Sequence, residues 1–462
     1  MERTTAKKNK YEIDMCNGTI MDKLISFSLP LMLSGILQLM FNAVDIIVVG
    51  RFSGSQALAA VGSTSALINV FTNLFIGISL GANVLTARFY AAGREKEVSE
   101  TVHTAITLAL VSGIVMALVG LVFSRGALAL MGTPDDVIGL SALYMRIYFL
   151  GMPFFMLYNY GAAILRAVGD TKRPLLFLVI AGVINACLNM VLVIVFKLGV
   201  AGVAIATVIS QMISCVLVLR CLCRSESSYR LRFSELGMKG YYLKQIFSVG
   251  VPAGIQSTVI NFSNVLLQSS VNSFGSTAMA GYTAANNLLG FLYVSVNSIT
   301  QACMSFTSQN YGVGKLKRMD RVLADCMILS VVVAVVLGCI CYGFGPEILQ
   351  IYTEDAEVIA CGMEILAYTT ITYFLCGWMD LFPGALRGMG YSAVPMVLSV
   401  IGTVGTRVVW IFGIFPYHRS LAILFISYPA SWIITIVLQV ICFYFVRGRV
   451  HRRSQALAGQ EA

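Results

Sequence analysis

Residues 165–174 read LRAVGDTKRP, and residues 386–395 read LRGMGYSAVP. Both segments follow the pattern Leu-Arg-x-x-Gly-x-Thr/Ser-x-x-Pro, and they lie 221 positions apart. Two further pairs match at the same offset: GSQALA at 54–59 with GSTAMA at 275–280, and YAAGR at 90–94 with YGVGK at 311–315. Three matches in one register indicate that the chain is built from one unit used twice.

The sequence around these segments is too apolar for a water-soluble protein. Of its 462 residues, 58% are hydrophobic and 12% are charged, whereas soluble domains are about 25% charged. A bilayer core about 30 Å thick requires roughly 20 apolar residues in a helix. The runs that meet this requirement are 24–49, 57–81, 101–123, 137–163, 174–196, 200–222, 244–272, 278–304, 322–344, 357–383, 394–416 and 420–446. They are long and lack strand-like alternation, so we predict an all-α polytopic membrane protein with twelve transmembrane helices.

Each repeat contains six of these spans, and an even number gives both repeats the same orientation in the membrane. Two parallel repeats about an axis along the membrane normal are an architecture of secondary transporters, which alternate access by rocking one bundle against the other. No filter-like loop, which a channel would need, is visible. The predicted parts are a cytoplasmic N-terminal segment at 1–20, lobes at 21–223 and 241–446, a cytoplasmic linker at 224–240 and a basic tail at 447–462.

The basic residues predict the orientation of these spans. With both termini in the cytoplasm, 26 of the 32 Lys and Arg residues fall on the cytoplasmic side, which is the asymmetry expected of inner-membrane proteins. This distribution accounts for the net charge of +10 without a nucleic-acid partner. The first apolar run is too long for the core of a signal peptide, so we interpret it as the first span.

Span 1 carries the clearest functional candidate. An ionisable group inside the bilayer is costly and usually functional, and Asp45 lies there on one helical face with Gln38 and Asn42. This polar stripe should face a cavity, where the carboxylate could bind a cation or a proton. The alternative is that Asp45 caps the helix or pairs with Arg51 near the outer surface.

Spans 5 and 6 add neutral oxygen ligands to this candidate. Asn185 and Asn189 lie one turn apart in span 5, and Thr207 and Gln211 have the same spacing in span 6. Amide and hydroxyl oxygens with one carboxylate suit a hard cation such as Na⁺. The alternative is hydrogen bonding between helices, which is common in membrane bundles.

Span 10 carries a second acid, Asp380, which falls opposite Asn159 of the first repeat. It could titrate during transport, or it could bond to backbone groups freed by Pro383. Arg407 lies nearer a span end, where its side chain could snorkel to the interface. Pro30 in span 1 removes a backbone donor and permits a kink that could move the half-helix bearing Asp45.

The sequence lacks the residues that other classes of function require. The twelve cysteines mostly lie inside apolar runs without a metal-binding spacing, and the three histidines are isolated, so we expect no cofactor. A membrane enzyme would need clustered His, Asp or Cys residues in the spans. No phosphate-binding G-x-x-x-x-G-K-[ST] motif supports direct use of ATP. The many Met, Phe and Tyr residues suit a wall that binds varied hydrophobic cations.

Taken together, these motifs resemble bacterial members of the multidrug and toxic compound extrusion (MATE) family over about residues 20–446. The features that carry the resemblance are Leu29-Pro30 with Asp45-x-x-x-x-Gly50, Tyr90-x-x-Gly93, Leu165-Arg166-x-x-Gly169-Asp170-Thr171, Asn185-x-x-x-Asn189 and Gly199-x-x-Gly202-x-Ala204-x-Ala206-Thr207. The resemblance implies a V-shaped pair of six-helix lobes in the bacterial inner membrane, acting as a monomer without a cofactor. It also implies antiport of drug-like organic cations against Na⁺ or H⁺.

The resemblance further implies that Asp45 couples the ion and that Asn185, Asn189 and Thr207 complete a cation site. Some members have an Asp where this chain has Asn189, and some carry acids in spans 7 and 10. Here span 7 has no acid, and Asp380 is not at the aligned position. These departures leave the choice between Na⁺ and H⁺ open. A lipid-linked precursor flippase and a metabolite exporter remain alternatives, although a flippase would want more basic residues in its spans.

Overall fold

The computed structural model describes residues 11–458, and this part of the chain is helical without a β-strand. The helices are α1 (Met21–Ser53), α2 (Ser55–Ala91), α3 (Glu95–Leu130), α4 (Asp135–Leu150), α5 (Met152–Ala167), α6 (Lys172–Asn189), α7 (Gly199–Cys223), α8 (Gly240–Asn272), α9 (Ser276–Gly312), α10 (Leu316–Gly343), α11 (Gly345–Gln350), α12 (Ala356–Thr369), α13 (Tyr373–Gly388), α14 (Ala393–Ser399), α15 (Thr406–Val409) and α16 (Leu421–Ala458). Three π-helical stretches follow α6, α14 and α15, at Met190–Val195, Val400–Gly405 and Trp410–Ile414.

Every predicted span is covered by a helix or by a run of consecutive helices, so the predicted fold class is confirmed. Within the described residues, 8 helical spans are long and apolar enough to cross a bilayer, and 2 bent helix pairs qualify when each is counted as one span. The two remaining spans are α8 and α9, which have 33 and 37 residues and are more polar. A polar span is stable in a membrane only if part of its surface faces protein or water.

The two bent spans have different physical causes. The axis turns by 48° between α4 and α5, next to Pro153, which lacks a backbone donor. It turns by 51° between α12 and α13. There the hydroxyls of Thr369, Thr370 and Thr372 donate to carbonyls four residues earlier, an interaction that bends helices. Pro383 lies inside α13, away from this bend.

The glycines of the repeated motifs explain why the repeat is visible in the sequence. In all three motif pairs the matched glycine has a positive φ, which residues with a side chain rarely adopt. The φ angles are 88° and 100° at Gly54 and Gly275, 69° and 71° at Gly93 and Gly314, and 97° and 93° at Gly169 and Gly390. The same turns therefore begin or end the same helices in both repeats.

The chain divides into two compact units. The N-terminal unit comprises Met1–Ile13 with Leu33–Gly254, and the C-terminal unit comprises Asp14–Met32 with Ile255–Ala462. Helices α1 and α8, which open the two repeats, each contribute to both units. In each helix the division falls shortly after a proline, Pro30 in α1 and Pro252 in α8.

In the N-terminal unit, the α5–α6 turn carries a buried ion pair. Asp170 is fully buried and bonds to the guanidinium of Arg173. Its Oδ1 also accepts a hydrogen bond of 3.1 Å from the backbone N–H of Arg173 in the first turn of α6. The end of the N-terminal segment packs here, since the backbone N–H of Ile13 donates to the carbonyl of Gly169 at 3.4 Å. The ring of Tyr11 lies 5.4 Å from the guanidinium carbon of Arg173.

Helices α3 and α5 approach each other closely at Gly113. A Cβ at this position would lie 2.5 Å from the Cα of Pro153 and 2.9 Å from its nitrogen. We expect Gly113→Ala to destabilise the protein by about 1–3 kcal/mol, because the clash is with backbone that cannot rotate away. Thermal unfolding of the purified protein measures this change. Gly126→Ala in the same helix is the control, since its Cβ would have no atom within 4 Å, and its stability should be unchanged or higher.

Candidate functional site

Asp45 lies on the second half of α1 and is buried in the N-terminal unit, with 9% of its surface exposed. Its Oδ1 accepts a hydrogen bond from Nδ2 of Asn189 on α6. Its Oδ2 lies 3.5 Å from the hydroxyl of Thr207 on α7. Three helices thus converge on one carboxylate.

Asn185 and Asn189 lie on the same face of α6 and are both buried. Nδ2 of Asn189 also donates to Oδ1 of Asn185 at 3.2 Å, so this one amide joins the carboxylate to the second amide. Oδ1 of Asn189 is buried and has no hydrogen-bond partner among the described residues. Asn189 is the last α-helical residue before the π-helical stretch Met190–Val195, and π-helical turns are frequent at functional sites.

No basic side chain neutralises Asp45 in the part of the chain that the structure describes. The alternative partner considered from the sequence, Arg51, is exposed and forms no ion pair with it. A buried carboxylate without a cationic partner is costly, so it favours binding of a cation or a proton. The oxygens of Asp45, Asn185, Asn189 and Thr207 provide the hard ligands that a small cation requires.

Two tyrosines belong to this environment and were missed from the sequence. Tyr144 and Tyr148 of α4 lie close enough to Asp45 to interact with its charge. Their rings are stacked, with centroids 6.1 Å apart. Their spacing of four residues was the available signal, because it places both rings on one face of span 4.

Of the secondary candidates, Gln38, Asn42 and Asn159 lie outside this cluster. Gln38 and Asn42 are exposed on α1, and no hydrogen bond in the described part of the chain joins them to Asp45. The side chain of Asn159 donates to the carbonyl of Phe155 within its own helix, at 2.8 Å. Gln211 follows Thr207 on α7, and its buried Oε1 has no partner among the described residues.

Asp380 belongs to the C-terminal unit and has a different environment from Asp45. It lies on α13 close enough to Arg387 for the two charges to attract each other. Nη2 of Arg387 also donates to Oε1 of Gln256 on α8, at 2.6 Å. A nearby cation therefore balances Asp380, whereas none balances Asp45.

Arg407 does not lie where the sequence suggested. The sequence allowed its side chain to snorkel to the interface, but only 3% of its surface is exposed, inside the C-terminal unit. Its Nη1 donates to Asn264 at 2.8 Å and to Ser263 at 3.2 Å, both on α8. These two acceptors hold the guanidinium inside the bundle, which explains why the side chain does not reach the interface.

Comparison with known proteins gives one consistent result. A profile described as MatE matches the chain twice, over residues 30–191 and 252–412. The probable multidrug resistance protein YoeA of Bacillus subtilis is 32% identical over 431 residues, covering 91% of this chain and 92% of its own. The multidrug export protein MepA of Staphylococcus aureus is 22% identical over 382 residues, covering 82% and 84%. A crystal structure of MATE in complex with MaL6 has the same fold, with a TM-score of 0.88, 19% identity and coverage of 97% and 100%.

The double match of the profile coincides with the two repeats that the glycine-centred motifs indicate. The relative at 32% identity matches nearly the whole chain. The apolar helices of this chain make it a multi-pass membrane protein. The chain therefore belongs to the multidrug and toxic compound extrusion (MATE) family of membrane transporters.

Proposed function

We propose that this protein exports amphipathic or cationic organic compounds from the cytoplasm by antiport against Na⁺ or H⁺. The observation that carries the proposal is the buried carboxylate of Asp45, which no basic group balances in the described residues. It accepts from Nδ2 of Asn189, which also joins it to Asn185, and it lies 3.5 Å from the hydroxyl of Thr207. The multidrug resistance and export proteins among its relatives support the substrate class. The protein acts in the bacterial inner membrane as a monomer, with both termini in the cytoplasm.

In this mechanism the coupling ion enters from outside and neutralises Asp45. An ion can drive a conformational change only if it binds the two states with different affinity. The hydrogen bond from Asn189 and the contact with Thr207 depend on the relative positions of α1, α6 and α7. A shift of the Asp45 half of α1 would break both contacts, which gives the two states unequal affinity for the ion.

Both coupling ions fit the residues at the site. A proton would neutralise Asp45 directly. Rotation of the Asn189 amide, whose Nδ2 faces the carboxylate, would then let its Oδ1 accept from the new O–H. Na⁺ would instead use the unpartnered Oδ1 of Asn189 together with the carboxylate, since hard cations prefer several oxygen ligands. Asn189 stands where some family members have an acid, so this site attracts either ion with one negative charge fewer.

The test is transport in liposomes that contain the purified protein and a fluorescent cationic dye. Dye movement is followed under an imposed Na⁺ gradient and, separately, under a pH gradient. Movement driven by one gradient alone would establish antiport and identify the ion. Absence of movement under both gradients would contradict the proposal and favour the flippase or metabolite-exporter alternatives, which need no dye transport.

The hydroxyl of Thr207 should make a small contribution to ion affinity. Thr207→Val removes this oxygen ligand at nearly constant volume, and we expect the ion concentration for half-maximal transport to rise about fivefold, because one polar contact contributes about 1 kcal/mol. The dependence of the initial rate on ion concentration measures this. Thr207→Ser keeps the hydroxyl and is the control. An equal rise in both variants would show that packing, and not the hydroxyl, is responsible.

A further inference from the structure

Arg407 is a buried cation inside a membrane-spanning segment, and the antiport mechanism does not use it. It lies on α15, a single turn between the π-helical stretches Val400–Gly405 and Trp410–Ile414. Basic residues inside a membrane span face the interior of a bundle or a water-filled cavity and mark pathways for substrates or ions. Its partners therefore indicate what this part of the C-terminal unit binds.

Neutral groups surround the guanidinium. Nη1 donates to Oδ1 of Asn264 at 2.8 Å and to Oγ of Ser263 at 3.2 Å. The face of the Tyr428 ring lies 4.8 Å from the guanidinium carbon, and the hydroxyls of Tyr428 and Tyr282 lie 2.8 Å apart. Nε of Arg407 is buried and has no hydrogen-bond partner among the described residues.

No carboxylate balances this charge in the described part of the chain. The titratable groups that act on Arg407 are Tyr428, Tyr282, Cys376 and Tyr373. Arg387 in the same unit has Asp380 nearby, so Asp380 already balances another arginine. The guanidinium of an arginine can bind a carboxylate through two parallel hydrogen bonds. Arg407 has hydrogen-bond partners but lacks such an anion.

The guanidinium lies directly behind an exposed polar face. Asn264 is exposed on α8, in line with Asn261 and Gln268, which are three residues before it and four residues after it. Lipid cannot cover these three polar side chains, so this face of α8 contacts water or substrate. A ligand that contacts Asn264 is therefore one side chain away from Nη1 of Arg407.

The two repeats place opposite charges on equivalent spans. In the N-terminal unit, the site joins the first and fifth spans of the repeat, through Asp45 on α1 and Asn189 on α6. In the C-terminal unit, Asn264 on α8 and Arg407 on α15 join the first and fifth spans of the second repeat. The same junction is anionic in one repeat and cationic in the other.

We infer that Arg407, with Asn264, Ser263 and the ring of Tyr428, binds the carboxylate of an amphiphilic substrate. The transported compounds then include carboxylates and zwitterions as well as cations. This inference deepens the proposed function by naming a substrate class, and it rests on that proposal only for the transport step. Binding of a carboxylate would complete the ion pair and occupy the free donor Nε.

The test compares two dyes that differ in one group: a zwitterionic rhodamine with a free carboxylate and its cationic methyl ester. Equilibrium binding is measured by fluorescence polarisation on the full-length protein in phosphatidylcholine nanodiscs. We expect the wild type to bind the carboxylate form about tenfold more tightly than the ester, and Arg407→Gln to reduce this ratio to about one, since a charged hydrogen bond contributes at least that factor.

Asn264→Asp provides a second variant that retains the arginine. The new carboxylate lies against Nη1 and should remove the preference for the carboxylate dye by satisfying Arg407 internally. Asn272→Asp, two turns further along α8, adds the same charge away from Arg407 and should retain most of the preference. A preference that persists in both Arg407→Gln and Asn264→Asp would overturn the inference.

Two further outcomes separate the inference from its alternatives. If anionic phosphatidylglycerol in the nanodiscs abolishes the preference by competition, the site binds lipid headgroups and the substrate assignment is wrong. Gradient-driven dye transport without any preference for the carboxylate would refute this inference alone. A preference that depends on Arg407, in a protein that shows no gradient-driven transport, would support the binding site and refute antiport.

Discussion

Replacing Asp45 by asparagine should reduce gradient-driven dye movement to the rate of empty liposomes. Asparagine has nearly the same shape as aspartate, so the packing of α1 against α6 and α7 is retained. It cannot bind a proton or carry the negative charge that attracts Na⁺. Asn185, Asn189 and Thr207 then offer only neutral oxygens, which would leave a cation buried without a counter-charge. We expect a loss of at least about 100-fold, corresponding to about 2.7 kcal/mol of lost coupling.

The measurement uses the same liposomes, with the Na⁺ and pH gradients imposed in turn. Asp320→Asn on α10 is the matched control, because Asp320 forms a partly exposed ion pair with Arg447 and lies outside the site. Its rate should change less than twofold. Dye binding without a gradient should persist in Asp45→Asn, which separates coupling from substrate binding. Unchanged movement in Asp45→Asn would remove Asp45 from the mechanism and turn attention to Asp380.

Periodicity was sufficient to predict the helices of this site, but only part of its contacts. The spacing of Asn185 and Asn189 places both amides on one face of a helix, and the structure shows both amides buried on that face. The hydrogen bond between Asp45 and Asn189 joins residues 144 positions apart, and no local pattern predicts such a contact. Gln38 and Asn42 share a helical face with Asp45 in the sequence, yet they stay exposed. The same face of α1 is therefore buried at Asp45 and open at the two preceding polar residues.

Arg407 shows why position along a span is a weak guide to burial. Its place near a predicted span end suggested a side chain that reaches the interface. The π-helical stretches on either side of α15 were not predictable from hydropathy. The acceptors on α8 belong to a segment more than 140 positions earlier. The fold itself was easier to predict, since the paired glycines with positive φ produce the repeated motifs directly.

Asp170→Asn should destabilise the N-terminal unit more than Gly113→Ala does. Burial raises the pKa of Asp170 above its ordinary value, even though the positive charge of Arg173 opposes this shift. The carboxylate is necessary because Arg173 is largely buried beside it, with 17% of its side chain exposed. Removing one partner of a buried pair costs about 3 kcal/mol or more, since the other charge is left without compensation.

Thermal unfolding followed with a thiol-reactive fluorophore measures this loss, because Cys215 is buried in the same unit and becomes reactive on unfolding. The control is Glu235→Gln, which breaks the exposed pair of Arg232 and Glu235 at the same spacing of three residues and should cost less than about 1 kcal/mol. The double variant Asp170→Asn with Arg173→Gln should recover much of the stability lost in Asp170→Asn, because it also removes the uncompensated charge. The double variant could instead lose as much free energy of unfolding as the two single variants together. The cost would then come from lost hydrogen bonds at the start of α6 and not from the uncompensated charge.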